Sequence, residues 1–309
     1  YNHTDVGSAP DTYDNVALNE GMMRTAEDVG AMRSQLLNCH NGKLLRLDPN
    51  TGNGVASNPY FEPTAPRSPK SRVWALGLRN PYRMTHKKGS GSTNPADGDP
   101  GIFYVGDVGW TAWEELNVCN EPGMNFGWPI FEGLWPCTAY MSATTYNLDV
   151  PNPHYDGVNC TQQFLSFQDL LKQATLQVIN THPSPCHPGT PIPPGISTYL
   201  HARPSVDWAH GNNSRVPGYM GNNAYSYDLD SPSSPVQGPR FGGYAALAGT
   251  FIATPSMPIE YHNSAFVGDY SSGWIRRFKY NALDQLVSVH DFASGLGPIT
   301  WIGAGPDGC

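Results

Sequence analysis

Charge is scarce in this chain, and what there is leans acidic. Asp, Glu, Lys and Arg make up 14% of the residues, against a usual share of ~25%. The formal net charge is −8, and Lys and Arg gather in nothing longer than pairs such as Lys87-Lys88 and Arg276-Arg277. That excludes the basic surface that a nucleic acid or an anionic membrane selects. No apolar run approaches the ~18 residues of a membrane span, and neither a signal peptide nor an initiator Met is present. The cysteines nowhere adopt CxxC spacing, which removes the common zinc and thiol-redox motifs.

What is abundant is turn-forming residue. The 309 residues include 33 Gly and 29 Pro, so the chain reverses often, and it is long enough for one large domain or two small ones. Six cysteines, Cys39, Cys119, Cys137, Cys160, Cys186 and Cys309, form an even set that fits disulfides. Their pairing is open, because six cysteines allow about 15 connectivities. Asn-x-Ser/Thr sequons occur at Asn2, Asn159 and Asn212 and would be usable only in a secretory pathway. Together these features predict a secreted or cell-surface setting. Tyr1 opens in a polar loop and Cys309 follows the turn signal Gly305-Pro-Asp-Gly308, which predicts a processed or partial polypeptide.

Short apolar runs bounded by Gly, Asp, Asn and Pro predict strands at Lys43–Leu47, Val73–Leu76, Ile102–Val105, Ala265–Val267 and Trp274–Phe278. Phe103-Tyr-Val-Gly-Asp107 is echoed by Ala265-Phe-Val-Gly-Asp269, a faint repeat that suggests radially repeated sheets. A Cys/Pro-rich insertion over residues 137–200 is expected to carry one amphipathic helix, Gln162 to Asn180, with Phe164, Phe167, Leu170, Leu171 and Ala174 on one face. Such a helix covers a sheet edge or closes over a substrate.

Chemistry-bearing residues are densest from Tyr104 to Pro129. Gly106 and Gly109 allow the backbone to turn its carbonyls outward, and Asp107, Glu114 and Glu115 place hard anionic oxygens nearby, a pattern suited to Ca²⁺. A tight turn with solvated acids is the plain alternative. Upstream, Arg79 and Asn80 precede Pro81, which holds its predecessor extended and lets Arg79 project from a strand end. There it either forks onto an anionic or quinone oxygen or caps carbonyls and pairs with an acid such as Asp107. Trp110 and Trp113 offer a stacking surface or a packing one, and His210 lies in Asp207-Trp-Ala-His210 as a ligand contact or a structural His.

Gly42-Lys-Leu-Leu-Arg-Leu-Asp48, Asn58-Pro-Tyr-Phe61, Arg72 to Met84, Val105-Gly-Asp-Val-Gly109, Trp113-Glu-Glu-Leu-Asn117 and Asn125-Phe-Gly-Trp-Pro129 follow one another in a specific order. In that order the chain resembles the soluble quinoprotein glucose/sorbosone dehydrogenase family, which includes aldose sugar dehydrogenases and hedgehog-interacting-protein-like propellers. Weaker matches follow at Gly249-Thr-Phe251, Ala265 to Tyr270 and Gly305 to Gly308. The resemblance implies an all-β, six-bladed β-propeller over residues 1–309, with one or more N-terminal blades lying outside the chain and the helical insertion at 137–200. It implies a sugar or glycan substrate oxidised by pyrroloquinoline quinone (PQQ) held through calcium. By position, Arg79 and Asn80 resemble the pair beside the quinone, the carbonyls of Gly109 and Trp110 resemble ligands of the cofactor calcium, and Glu115 with the Phe126 carbonyl resembles a second calcium site. The family's catalytic His falls before Tyr1, and His3 lies in nothing like its motif. Asp269-Tyr-Ser-Ser-Gly273 also lacks the basic residues that clamp the cofactor's carboxylates in glucose dehydrogenases. A non-catalytic extracellular propeller that binds other proteins therefore stands beside the enzyme reading.

Overall fold

A computed structural model describes residues 14–175, 181–252 and 257–305. All five expected strands form, and the few helices are short. Ten strands build two antiparallel sheets. The first runs β1 (Pro81–His86), β2 (Phe103–Asp107), β3 (Trp113–Cys119), β4 (Val206–Ala209), β5 (Ser214–Met220) and β6 (Asn223–Asp228), neighbours in sequence order. The second is a meander of β7 (Ala246–Ile252), β8 (Ser264–Asp269), β9 (Trp274–Tyr280) and β10 (Leu286–Ala293). No sheet among the described residues closes on itself.

The two sheets share the main core. Tyr104, Leu116, Val206 and Trp208 from the first meet Ala248, Phe251, Val267 and Phe278 from the second. The Tyr104 and Phe251 rings stack with centroids 5.1 Å apart. Gly106 shows how close the sheets come: a Cβ placed there would lie 2.5 Å from the Ala248 nitrogen. Gly106 is thus a packing residue inside β2 and not the turn residue expected from sequence, since its neighbour leaves no room for a side chain.

Between β3 and β4 the chain leaves the sheet for residues 120–205 and returns to pair Asp207 with Glu115. The helix expected from Gln162 does not form through the described residues. Phe164–Ser166 pairs with Tyr146–Pro151, one helical turn covers Phe167–Leu170, and Leu171–Lys172 pairs with Tyr199–Leu200. Leu165 and Leu170 pack in one buried cluster and Phe167 and Leu171 in another. A helix has one apolar stripe and cannot serve both. Residues 176–180 of that expectation, and also Asn2, His3 and Cys309, lie outside the described residues.

Cys160 and Cys186 form a disulfide with Cα atoms 5.4 Å apart. Among the described residues, Cys39, Cys119 and Cys137 form no disulfide. Cys39 and Cys119 are buried among apolar side chains and serve as small hydrophobic residues. Among the described residues, no helix is long and apolar enough to cross a membrane.

Candidate functional site

The site residues gather at one end of the first sheet, where the entry to β1, the β2–β3 hairpin and the β4–β5 hairpin meet. Asp107 closes β2. Its carboxylate, 2% exposed, accepts the backbone amides of Arg79 at 2.9 Å and Asn80 at 2.6 Å. Burial raises its pKa, opposed by those two amides. The Arg79 guanidinium donates to the Val108 carbonyl at 2.9 Å and lies 5.5 Å from the centre of the Trp128 ring. Arg79 therefore caps a carbonyl, while its backbone, and not its guanidinium, engages Asp107.

The hairpin from Val108 to Ala112 is held from below. Glu132 Oε1 accepts four successive amides, those of Trp110, Thr111, Ala112 and Trp113, at 2.8 to 3.3 Å. This is an anion nest filled by the protein's own carboxylate. With those amides committed inward, the Gly109 and Trp110 carbonyls accept no hydrogen bond among the described residues. Gly109 has to be Gly, because a Cβ there would lie 1.9 Å from the Trp113 carbonyl oxygen. The Trp110 ring packs edge-on against Trp128 and Tyr140, and Trp113 lies under the Arg215 guanidinium. Both are packing surfaces.

Glu114 and Glu115 point to opposite faces of β3, as successive strand residues must. Glu114 accepts from Gly109 N, His210 Nε2 and Ala246 N, so it ties the hairpin to both sheets. Its pKa is raised by burial, against the pull of the Ala246 amide and His210. His210 is thereby fixed by a buried carboxylate, with its backbone amide on Ala112.

Glu115 stands in a row across the sheet, with Asp107 opposite on β2 and Asp207 opposite on β4. Arg215 on β5 pairs with Asp207, which offsets one of the three buried carboxylates. Glu115 accepts from Asn117 Nδ2 at 2.8 Å and Gly133 N at 2.6 Å. Burial, and then the charge of Asp107, push its pKa well above the usual range. Beside it, the Asn117 Oδ1 is buried with no partner. Like charges in register are costly, and an unmet amide oxygen adds to that cost. An oxygen-ligated cation would relieve both, so this donor chemistry fits calcium. Among the described residues no three His, Cys, Asp or Glu side chains are placed to hold a metal, so carbonyls would have to complete such a site.

The Phe126 carbonyl accepts from His201 Nε2 at 3.1 Å, while Gln173 donates to His201 Nδ1 at 2.9 Å, which fixes the tautomer. Burial lowers the His201 pKa to about 3, so the ring stays neutral. Asn80 is exposed beside Arg79, and Asn159 and Asn212 are exposed on loops. Sequence reasoning missed Glu132, His201 and Arg215. Their partners lie 19 to 22, 75 and 8 residues away, and no local motif announces such contacts.

The model of the Glucose / Sorbosone dehydrogenase family matches residues 16–160, a span that contains Arg79, Asn80, the hairpin, Glu115 and Phe126. The resemblance is to that family. Two Arabidopsis thaliana proteins align with part of this chain. The HIPL1 protein is 32% identical over 76 residues, 25% of this chain and 9% of its own length. The HIPL2 protein is 31% identical over 106 residues, 30% of this chain and 14% of its own. Among solved structures, the PQQ-bound aldose sugar dehydrogenase of Streptomyces coelicolor aligns over 91% of this chain and 48% of its own, at 15% identity and a TM-score of 0.43. The apo soluble aldose sugar dehydrogenase of Escherichia coli aligns over 91% and 54%, at 16% and 0.43. The chain thus spans about half the length of these structures and a small part of the plant proteins.

Proposed function

We propose that this chain is part of an extracellular sugar dehydrogenase of the soluble quinoprotein type, oxidising an aldose with calcium-bound PQQ as hydride acceptor. The observation that carries this reading is the Arg79–Asn80 pair, fixed through its backbone on Asp107 beside a hairpin whose Gly109 and Trp110 carbonyls are free to ligate. When bound, PQQ with its calcium supplies the acceptor for hydride and a Lewis acid to polarise it.

The chain's own residues then have separate tasks. Arg79 holds a positive charge beside the hairpin, where it stabilises negative charge developing on an acceptor oxygen. Asn80 offers an exposed amide to the same ligand. Gly109 and Trp110 would hold the cofactor calcium through their carbonyls. Glu115, with the Phe126 carbonyl, would hold a second calcium that offsets the row of carboxylates. Glu132 keeps the hairpin in shape. The base that takes the sugar's hydroxyl proton is assigned to none of these residues.

The same reading makes the two sheets part of a six-bladed β-propeller, with residues 137–200 inserted into it. It also makes Asn2, Asn159 and Asn212 glycan acceptors in a secreted protein. A non-catalytic, calcium-stabilised propeller that binds other extracellular proteins is the second reading. Two observations favour it: Arg79 Nη1 is already committed to Val108, and the Asp269–Gly273 turn carries no Lys or Arg.

Reconstitution with PQQ and Ca²⁺, followed by dye reduction with a panel of aldoses, separates the two. Dye reduction that falls in Arg79→Ala supports the dehydrogenase. No reduction, with no quinone absorbance retained after desalting, leaves the binding module.

A further inference from the structure

A cavity of ≈ 240 Å³ whose lining includes none of Arg79, Asn80, Gly109 and Trp110 lies between residues 35–38, the Tyr146–Pro151 strand, the Phe167–Leu170 turn and residues 195–199. We propose that this cavity binds one neutral saccharide unit.

Three features select that chemistry. The charged side chains around the cavity are already matched. Arg24 forks onto Asp149 at 2.9 and 3.1 Å, and Lys70 is 2.7 Å from Glu62. A charged ligand would have to displace one of these partners. One wall is apolar, made by the buried Phe167 and Leu170 with Ile196 beside them. The lining also includes an uncharged hydrogen-bonding group with a free donor. Asn147 lines the cavity and is only 5% exposed, and its Oδ1 accepts from Asp149 N at 3.1 Å. Its Nδ2 donates to nothing among the described residues. That nitrogen is not sealed from water, so it is open to a ligand, and a ligand oxygen placed there would take the place of a water hydrogen bond.

A lining that combines apolar side chains with neutral amide and hydroxyl groups suits a sugar ring, which has a C–H face and a hydroxyl edge. Tyr199 and Ser197 also line the cavity and add hydroxyl groups to it. The size agrees. The cavity volume equals about eight waters at liquid density, enough for one ring and too little for an oligosaccharide.

This site is independent of the dehydrogenase reading, and the test keeps them apart. Methyl glycosides of glucose, galactose, mannose and N-acetylglucosamine are titrated calorimetrically into the full chain without added PQQ. They have no free anomeric hydroxyl to oxidise, so activity at the Arg79 site plays no part. Glucose 6-phosphate and glucuronate serve as charged comparators. At least one neutral glycoside is expected to bind with a stoichiometry of one. Its affinity should fall at least tenfold in Asn147→Leu, and should be unchanged in Arg79→Ala. Val150→Phe, at the half-buried rim, fills the cavity without touching the amide and should abolish binding with an unchanged thermal melt. Three results would overturn the proposal: no saturable binding by any neutral glycoside, wild-type affinity in both cavity variants, or tighter binding of the charged sugars.

Discussion

Phe103–Asp107 and Ala265–Asp269 run the same course in different sheets. Each strand ends on a buried Asp, and each Asp accepts the amides of the two residues that open the preceding strand. Asp107 takes Arg79 and Asn80 before β1, while Asp269 takes Tyr244 and Ala245 before β7. The device is one of backbone capping, indifferent to the side chains it carries. Asp269 is more deeply committed, because it also accepts from Trp208 Nε1 and Ser272 N. Asp107 has only its two amides, and the residues it positions are a guanidinium and an exposed carboxamide. One copy carries only packing and capping contacts. The other presents the two side chains proposed above to meet the cofactor, from the same geometry, so the fold alone does not reveal which copy bears a site.

Four comparisons test that contrast. Asp269→Ala strands four donors and should cost about 4 kcal/mol in urea unfolding, whereas Asp107→Ala strands two and should cost about half as much. Equal costs would end the distinction. The first copy also leans on residues 30–43, where the Lys43 ammonium donates to the carbonyls of Arg33, Ser34 and Asn41. Burial lowers the Lys43 pKa from 10.5 to about 8. Between those values the unfolded chain binds more protons than the folded one, so stability rises with pH there. Wild type should gain up to about 3 kcal/mol relative to Lys43→Met from pH 8 to 10.5, and a flat difference would remove Lys43 from this role. Gly106→Ala drives a Cβ into the Ala248 backbone and should cost about 2 kcal/mol, while at Gly268 the nearest atom is the mobile end of Ile302, 3.0 Å away, and the cost should stay under about 1 kcal/mol. Arg79→Lys should change stability least, by about 0.5 kcal/mol, yet remove most dye reduction in the reconstituted protein, because an ammonium lacks the planar fork.

Strand positions were legible because each was a short apolar run between turn residues, and those signals are local. The five-residue repeat was visible too, and its two Asp residues do equivalent work. The 162–180 helix was misread because periodicity reports which residues are apolar and not how many separate cores they feed. Gly106 was misread for a related reason, since a turn glycine and a glycine squeezed between sheets look alike in sequence. The carboxylates show the same limit: three acids read as one group separate into a backbone cap, a bridge between sheets and a buried row with Asp207.

The sequence by itself determined the β character, the acidic and poorly charged composition, and the order of motifs that marks the family resemblance from Gly42 to Pro129. These follow from residue type and near-neighbour spacing. Tertiary structure alone decided that Glu132 gathers four amides under the hairpin, that Glu115 stands between Asp107 and Asp207, that Cys160 pairs with Cys186, and that Asn147 lines a cavity with an unused donor. Each of these depends on strands and loops distant in sequence arriving side by side, and hydrogen-bond partners chosen that way leave no trace in local spacing.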